Sequence, residues 1–66
     1  MELSNKALAF LADAVRARRE DFARRAEQST DEDEIADLTN DAAFLGAILG
    51  DLEAETLRRR EAWSRD

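Results

Sequence analysis

Carboxylates and guanidinium groups are the side chains of this sequence that could do chemistry. The chain has 16 acidic and 10 basic residues, and it contains no histidine, cysteine or tyrosine. It therefore lacks an imidazole base, a thiol nucleophile and the ligands of the usual structural zinc sites. It also has no glycine-rich phosphate loop. We expect no catalytic residue, no cofactor and no metal, and hence a protein that is not an enzyme.

The densest group of acids lies in residues 28–34, the only break in the helical pattern of the chain. It lacks the fixed glycine and the ligand spacing of a calcium loop. Ser29, Thr30 or Asp31 can instead cap a following helix, whose dipole favours acids in its first turn. Two pairs have the spacing of a capping box, namely Thr30 with Asp33 and Asp31 with Glu34. We therefore interpret these acids as the start of a helix.

That helix, predicted over residues 31–63, carries the most apolar stretch of the chain at 41–52. Positions three and four apart share one face of a helix, and here they form a heptad seam that is rich in leucine in its middle. The seam comprises Ile35, Leu38, Ala42, Leu45, Leu49, Leu52, Thr56, Arg59 and Trp63. It predicts a long helix that packs against a partner helix.

Small residues form a second line on the same helix: Ala42, Gly46, Gly50 and Ala54. Each glycine inside a helix costs about 1 kcal/mol relative to alanine. The line indicates either close approach of another backbone or small residues that are merely tolerated. A membrane helix is disfavoured, because the apolar run is about half of the ~20 residues needed to span a bilayer.

Phe44 and Ile48 project away from the seam, so a single partner helix cannot cover every apolar surface of this helix. A helix that is apolar on all sides is normally buried on all sides. The predicted oligomer interface comprises Phe44, Ile48, Gly46, Gly50, Ala47 and Ala54.

A first helix is predicted over residues 4–28, with Ser4 as its cap and Leu3 and Leu8 at hydrophobic-staple spacing. Its expected core face reads Leu3, Ala7, Leu8, Leu11, Ala14, Val15, Phe22 and Ala26, with Phe10 on one flank. Charged residues line the opposite side. There Glu20 lies four residues from both Arg16 and Arg24, a spacing that favours ion pairs.

The short connection requires the two helices to form an antiparallel hairpin. Pairing across the turn predicts Phe22 near Leu38 and Val15 near Leu45. It also predicts two ion pairs between the helices, Arg18 with Asp41 and Arg25 with Glu34. The N-terminal end of helix one, near Leu3, is then expected to lie opposite Thr56.

Beyond that point the second helix overhangs, carrying Arg58, Arg59, Arg60 and Trp63. Tryptophan and arginine are enriched at binding hot spots, which makes these four residues candidates for partner binding. Trp63 could equally cover the end of a second subunit. The sequence leaves both interpretations open.

A chain of 66 residues without cysteine forms a single domain, residues 1–66, that buries only about 60% of its unfolded surface. We therefore expect an all-α, antiparallel two-helix hairpin that dimerises into a four-helix bundle, with the second helices in mutual contact.

In length and helix order this arrangement resembles the Rop-type bundle. The resemblance implies a fold only, since no residue motif matches. Rop-type proteins bind RNA through a helical face, which Arg16, Arg19 and Arg24 could mimic if Asp13, Glu20 and Glu27 did not interrupt it.

The function that we expect is a protein–protein interaction module (adaptor, chaperone-like or inhibitory) that acts as a homo-oligomer. One alternative is an RNA- or DNA-binding regulator that uses the arginines of helix one or Arg58–Arg60. Another is an acidic decoy of a nucleic-acid-binding protein. The net charge of −6 argues against nucleic acid and anionic membranes as partners. We expect a cytoplasmic protein, and the abundance of Ala, Arg and Asp suggests a bacterial or phage source.

Overall fold

Two antiparallel helices joined by a three-residue turn make up the fold. The structure is a computed structural model that describes residues 2–64, with α1 at Asn5–Gln28 and α2 at Glu32–Ser64. The hairpin measures 54 × 20 × 15 Å. The predicted all-α hairpin is confirmed, and each helix boundary lies within one residue of its expected position. Over residues 2–64, neither helix is long and apolar enough to cross a membrane.

Ser4 starts α1 as the sequence predicts. Its backbone is extended, with φ −64° and ψ 161°, and its Oγ accepts a hydrogen bond from the amide of Ala7 at 3.0 Å. This bond satisfies one of the amides that the first turn of a helix leaves without a partner.

Asp31, one of the three expected candidates, caps α2. Its Oδ1 accepts a hydrogen bond from the amide of Asp33 at 3.0 Å. In a capping box, the side chain of Glu34 would accept a hydrogen bond from the amide of Asp31. Here that amide donates instead to Ser29 Oγ at 3.1 Å. The acids at Glu32, Asp33 and Glu34 occupy the first turn, where the helix dipole favours negative charge.

The core is thin. Leu8 and Ala12 of α1 and Leu38 and Leu49 of α2 are the buried apolar residues. Every position of the predicted α2 seam from Ile35 to Arg59 is buried or half-buried, which confirms that seam. Its last member, Trp63, is 85% exposed.

The predicted core face of α1 needs a correction. Ala12 is buried, whereas Leu11 is 42% exposed and Ala14 is exposed. The apolar stripe of α1 is wider than the contact it makes, so a small rotation about the helix axis exchanges one apolar residue for another at little cost in burial. The expected stripe was therefore rotated from the observed one.

The predicted interhelical ion pairs need correction, whereas the open end of the hairpin lies close to the expected register. The guanidinium of Arg59 reaches back one turn, where its Nε bonds to Glu55, and from there its Nη1 donates to the carbonyl oxygen of Leu3 at 2.7 Å. Leu3 therefore lies near the level of Glu55 and Thr56. The two expected interhelical ion pairs do not form. Arg25 pairs with Asp21 of its own helix at 3.9 Å, and the guanidinium of Arg18 lies 4.6 Å from the ring centre of Phe22. Partners on the same helix lie only three or four residues away, so an arginine side chain reaches them more easily than an acid on the other helix.

The expected pairs of Glu20 are likewise replaced by pairs with other acids of α1. Arg16 bonds to Asp13 at 2.9 Å, and Arg24 lies 3.6 Å from Asp21.

Candidate interaction surfaces

The two broad sides of the hairpin differ in chemistry. One side, here the groove side, holds an open cleft of about 300 Å³ between the helices. The cleft is lined by Ala9, Ala12, Asp13, Arg16, Glu53, Thr56, Leu57 and Arg60. Leu57, which is 57% exposed, is its largest apolar residue. Leu57 was not among the predicted interface residues, although its position off the α2 seam indicated an exposed apolar side chain.

The opposite side, here the Phe44 side, presents Leu11 of α1 together with Phe44 and Ile48 of α2. Successive helical residues are about 100° apart, which places these three across the buried stripe from the groove-lining residues. Phe44 is 68% exposed and Ile48 is half-buried. As expected, these two residues project away from the α2 seam.

Gly46 of the small-residue line lies on the groove side. A Cβ atom at this position would be 3.4 Å from Arg19 Nε, so the side chain of Arg19 already occupies the space over this glycine. At Gly50 a Cβ atom would meet nothing within 4 Å. Within one chain, Gly46 therefore provides room for an arginine side chain, and Gly50 faces open space.

The remaining predicted interface residues, Ala47 and Ala54, are exposed on the back of α2, the side turned away from α1. Phe10 is similarly exposed on the back of α1, with Lys6 Nζ 5.9 Å from its ring centre. The six predicted interface residues thus do not form one continuous surface. Phe44 and Ile48 lie on one side of the hairpin, Gly46 lies on the other, and the rest lie towards the back.

Arg59 connects the two helices at the open end of the hairpin, opposite the turn. Its Nη1 donates to the Leu3 carbonyl at 2.7 Å and to Asn5 Oδ1 at 2.9 Å, while its Nε donates to Glu55 at 2.7 Å. Only 27% of its side chain is exposed. This predicted partner-binding residue therefore connects the two helices of its own chain.

Glu55 accepts hydrogen bonds from two arginines in the next turn of α2. Arg58 donates to both of its carboxylate oxygens, at 2.9 and 2.5 Å, and Arg59 donates to one of them. The hydrogen bonds from Arg58, and then those from Arg59, lower the pKa of Glu55 to about 2. The same carboxylate raises the pKa of Arg58. Arg58 and Arg59, both predicted to bind a partner, are thus engaged within the chain by Glu55, for which the sequence predicted no role.

Trp63 lines a second open cleft, of about 330 Å³, at the end of the hairpin. Its other lining residues are Asn5, Leu8, Ala9, Thr56, Arg59 and Arg60. Trp63 therefore borders residues of α1, whereas the sequence placed it beyond the end of the first helix. The cleft shares Ala9, Thr56 and Arg60 with the groove-side cleft, so the two are continuous.

Two of the three arginines that resemble a nucleic-acid-binding face are paired with acids. Arg16 and Arg24 bond to aspartates of α1, and Arg19 lies over Gly46. Such pairing reduces the positive potential that a phosphate backbone would meet. Among the described residues, moreover, the acids do not converge in a group of three that could hold a metal ion.

Neither a protein-family model, nor a curated protein, nor a solved structure matches this chain.

Proposed function

We propose that the protein is a small, non-enzymatic protein–protein interaction module that acts as a homodimer. In the dimer, two hairpins stack by their broad sides into a four-helix bundle of Rop-like outline. The bundle then serves as an adaptor, chaperone-like or inhibitory protein through its remaining helix surfaces.

The observation that carries this proposal is the large surface of the hairpin. Folded monomers of 7.5 kDa expose about 4,200 Å² according to the scaling of surface with mass. This chain exposes 5433 Å², which is roughly 1,200 Å² more than the scaling predicts. A protein–protein interface of standard size buries about 800 Å² on each partner. Stacking two hairpins would therefore bring the surface close to that of an ordinary folded protein.

The chemical character of that surface supports the same proposal. Phe10, Leu11, Phe44, Leu57 and Trp63 are large apolar residues that all remain exposed. Of these, Leu11 and Phe44 lie together on the Phe44 side beside the half-buried Ile48, and an apolar patch of this kind on a small protein is typical of an interface.

Sedimentation equilibrium over a range of concentrations tests the proposal. We expect the mass to approach twice the 7.5 kDa of the chain at micromolar concentration and the helicity, measured by circular dichroism, to fall on dilution. A monomer that stays fully helical throughout the range would overturn the proposal.

The partner-binding part is tested by capture from the native host, with wild type compared to Trp63→Ala and to the back-of-helix control Ala47→Ser. We expect a protein that wild type and the control retain and that Trp63→Ala loses. A partner held equally by all three would place the binding surface away from the Trp63 cleft.

A further inference from the structure

The two broad sides of the hairpin offer a second copy different environments. The groove side carries four charged lining residues, Asp13, Arg16, Glu53 and Arg60, around Leu57. Stacking on this side would take those charges out of water, which costs free energy even for an existing ion pair such as Asp13 with Arg16. The centre of the Phe44 side is formed by Leu11, Phe44 and Ile48. Apolar residues at the centre and charges at the rim are typical of protein–protein interfaces.

Acids border the apolar centre of this side on α2. Asp41 lies three residues before Phe44, and Asp51 lies three residues after Ile48, so these residues share one flank of the helix. Asp37, four residues before Asp41, extends the acidic flank towards the turn, whereas Glu55 at the other end is paired with Arg58 and Arg59. Two copies that stacked α2 on α2 would bring these acidic flanks together, and like charges across an interface are repulsive.

On the matching flank of α1, two arginines outnumber the single acid, Asp21. Leu11, Arg18 and Arg25 follow one another at steps of seven, so they share a flank, and Ala14 lies between the first two. Both arginines are exposed. Arg18 covers the ring of Phe22, and Arg25 is held loosely by Asp21 at 3.9 Å, so both guanidinium groups remain at the rim of the Phe44 side.

We propose that a second copy of this chain packs on the Phe44 side with both interhelical turns at the same end, so that α1 of each copy lies across α2 of the other. This inference rests on the proposed function and specifies its geometry. It replaces the α2–α2 contact that the sequence favours. Each basic α1 flank then faces an acidic α2 flank, with Arg25 at the level of Asp37 and Asp41, and the Leu11, Phe44 and Ile48 side chains of both copies fill the centre.

Two matched substitutions on α2 test which side is used. Phe44→Asp and Leu57→Asp each place a carboxylate at an exposed apolar position of the same helix, on opposite sides of the hairpin. We expect Phe44→Asp to raise the dimer dissociation constant at least roughly 30-fold, as loss of a hot spot does. We expect Leu57→Asp to leave it within about threefold, as a near-neutral contact does. Sedimentation equilibrium measures both.

A dimer that dissociates in Leu57→Asp but persists in Phe44→Asp would overturn the side assignment while leaving the proposed dimer intact. Equal weakening by both substitutions would overturn it as well. A wild-type monomer would remove the dimer itself. Circular dichroism at the highest concentration shows whether each variant retains its helices.

The orientation is tested by a distance measurement. The chain has no cysteine, so Thr30→Cys places one spin label per copy on the exposed turn, beside the capping residues Ser29 and Asp31. With both turns at one end, packed helix layers about 10 Å apart put the two labels within roughly 25 Å of each other by pulsed electron spin resonance. With the turns at opposite ends, the separation approaches the 54 Å length of the hairpin.

A short distance supports the proposal. A long distance, or comparable amounts of both, overturns the orientation without affecting the dimer.

Discussion

Arg59 Nη1 donates a hydrogen bond to the carbonyl oxygen of Leu3 at 2.7 Å, which joins the last turns of α2 to the chain just before α1. This contact spans 56 residues of sequence. The same guanidinium also bonds to Asn5 and Glu55, so Arg59 fixes the open end of the hairpin much as the turn fixes the other end.

Arg59→Ala should therefore destabilise the hairpin by about 1 kcal/mol, the typical contribution of a hydrogen-bonded side chain that is not fully buried. Urea unfolding followed by circular dichroism measures the change. Arg58→Ala is the matched control, because the bonds of Arg58 to Glu55 join residues of the same helix. Its effect should be smaller, and an equal loss from both variants would contradict the role given to Arg59.

Glu55 should make the stability of the hairpin depend on acidity. Its pKa in the folded chain is about 2, below its ordinary value of 4.5. The stabilisation from the ionised carboxylate is therefore fully present above about pH 4.5 and is lost as the pH falls towards 2. Glu55→Gln should lack this part of the pH dependence.

The measurement is the thermal midpoint of wild type and Glu55→Gln between pH 2 and 7. The difference between them should narrow as the pH falls through that window and should shrink in high salt, since the site is exposed. A constant difference across the range would contradict the assignment.

Gly50→Ala should stabilise the chain by about 1 kcal/mol, because alanine is the better helix former and its Cβ atom would meet nothing within 4 Å. The dimer should be unaffected, since Gly50 does not lie on the Phe44 side. Gly46→Ala is the comparison: its Cβ atom would contact the flexible side chain of Arg19 at 3.4 Å, so a gain of similar size is expected. Urea unfolding at one fixed concentration measures both. A loss of stability or of the dimer in Gly50→Ala would mean that another backbone packs against this glycine.

Asp31→Ala should cost about 1 kcal/mol, because it removes the side-chain oxygen that accepts from the amide of Asp33. Thr30→Ala, one residue earlier, is the control and should be close to neutral. The free energy of unfolding in urea tests this pair. If Thr30→Ala were the more damaging change, the cap would lie one residue earlier than the structure shows.

The sequence by itself determined the two helices, the position of the turn and the seam of α2. Ser4 and Asp31 set the helix starts through bonds to amides two or three residues away, and the seam from Ile35 to Arg59 follows from helical spacing. These features are local, so they depend on neighbours that the sequence already specifies.

Only the tertiary structure decided the rotation of α1 and the partners of its arginines, and therefore which surfaces remain open. Ala12 rather than Leu11 is buried, and Arg25 pairs with Asp21 rather than with Glu34. The apolar stripe of α1 is wide enough to allow several rotations of similar burial, so periodicity alone does not choose among them. The long arginine side chains likewise reach several acids, and the packed positions of the helices select the partner. Helical spacing alone shows that Phe44 and Ile48 lie off the α2 seam. Their position on the side opposite the groove depends on how α1 packs against α2, which spacing does not specify.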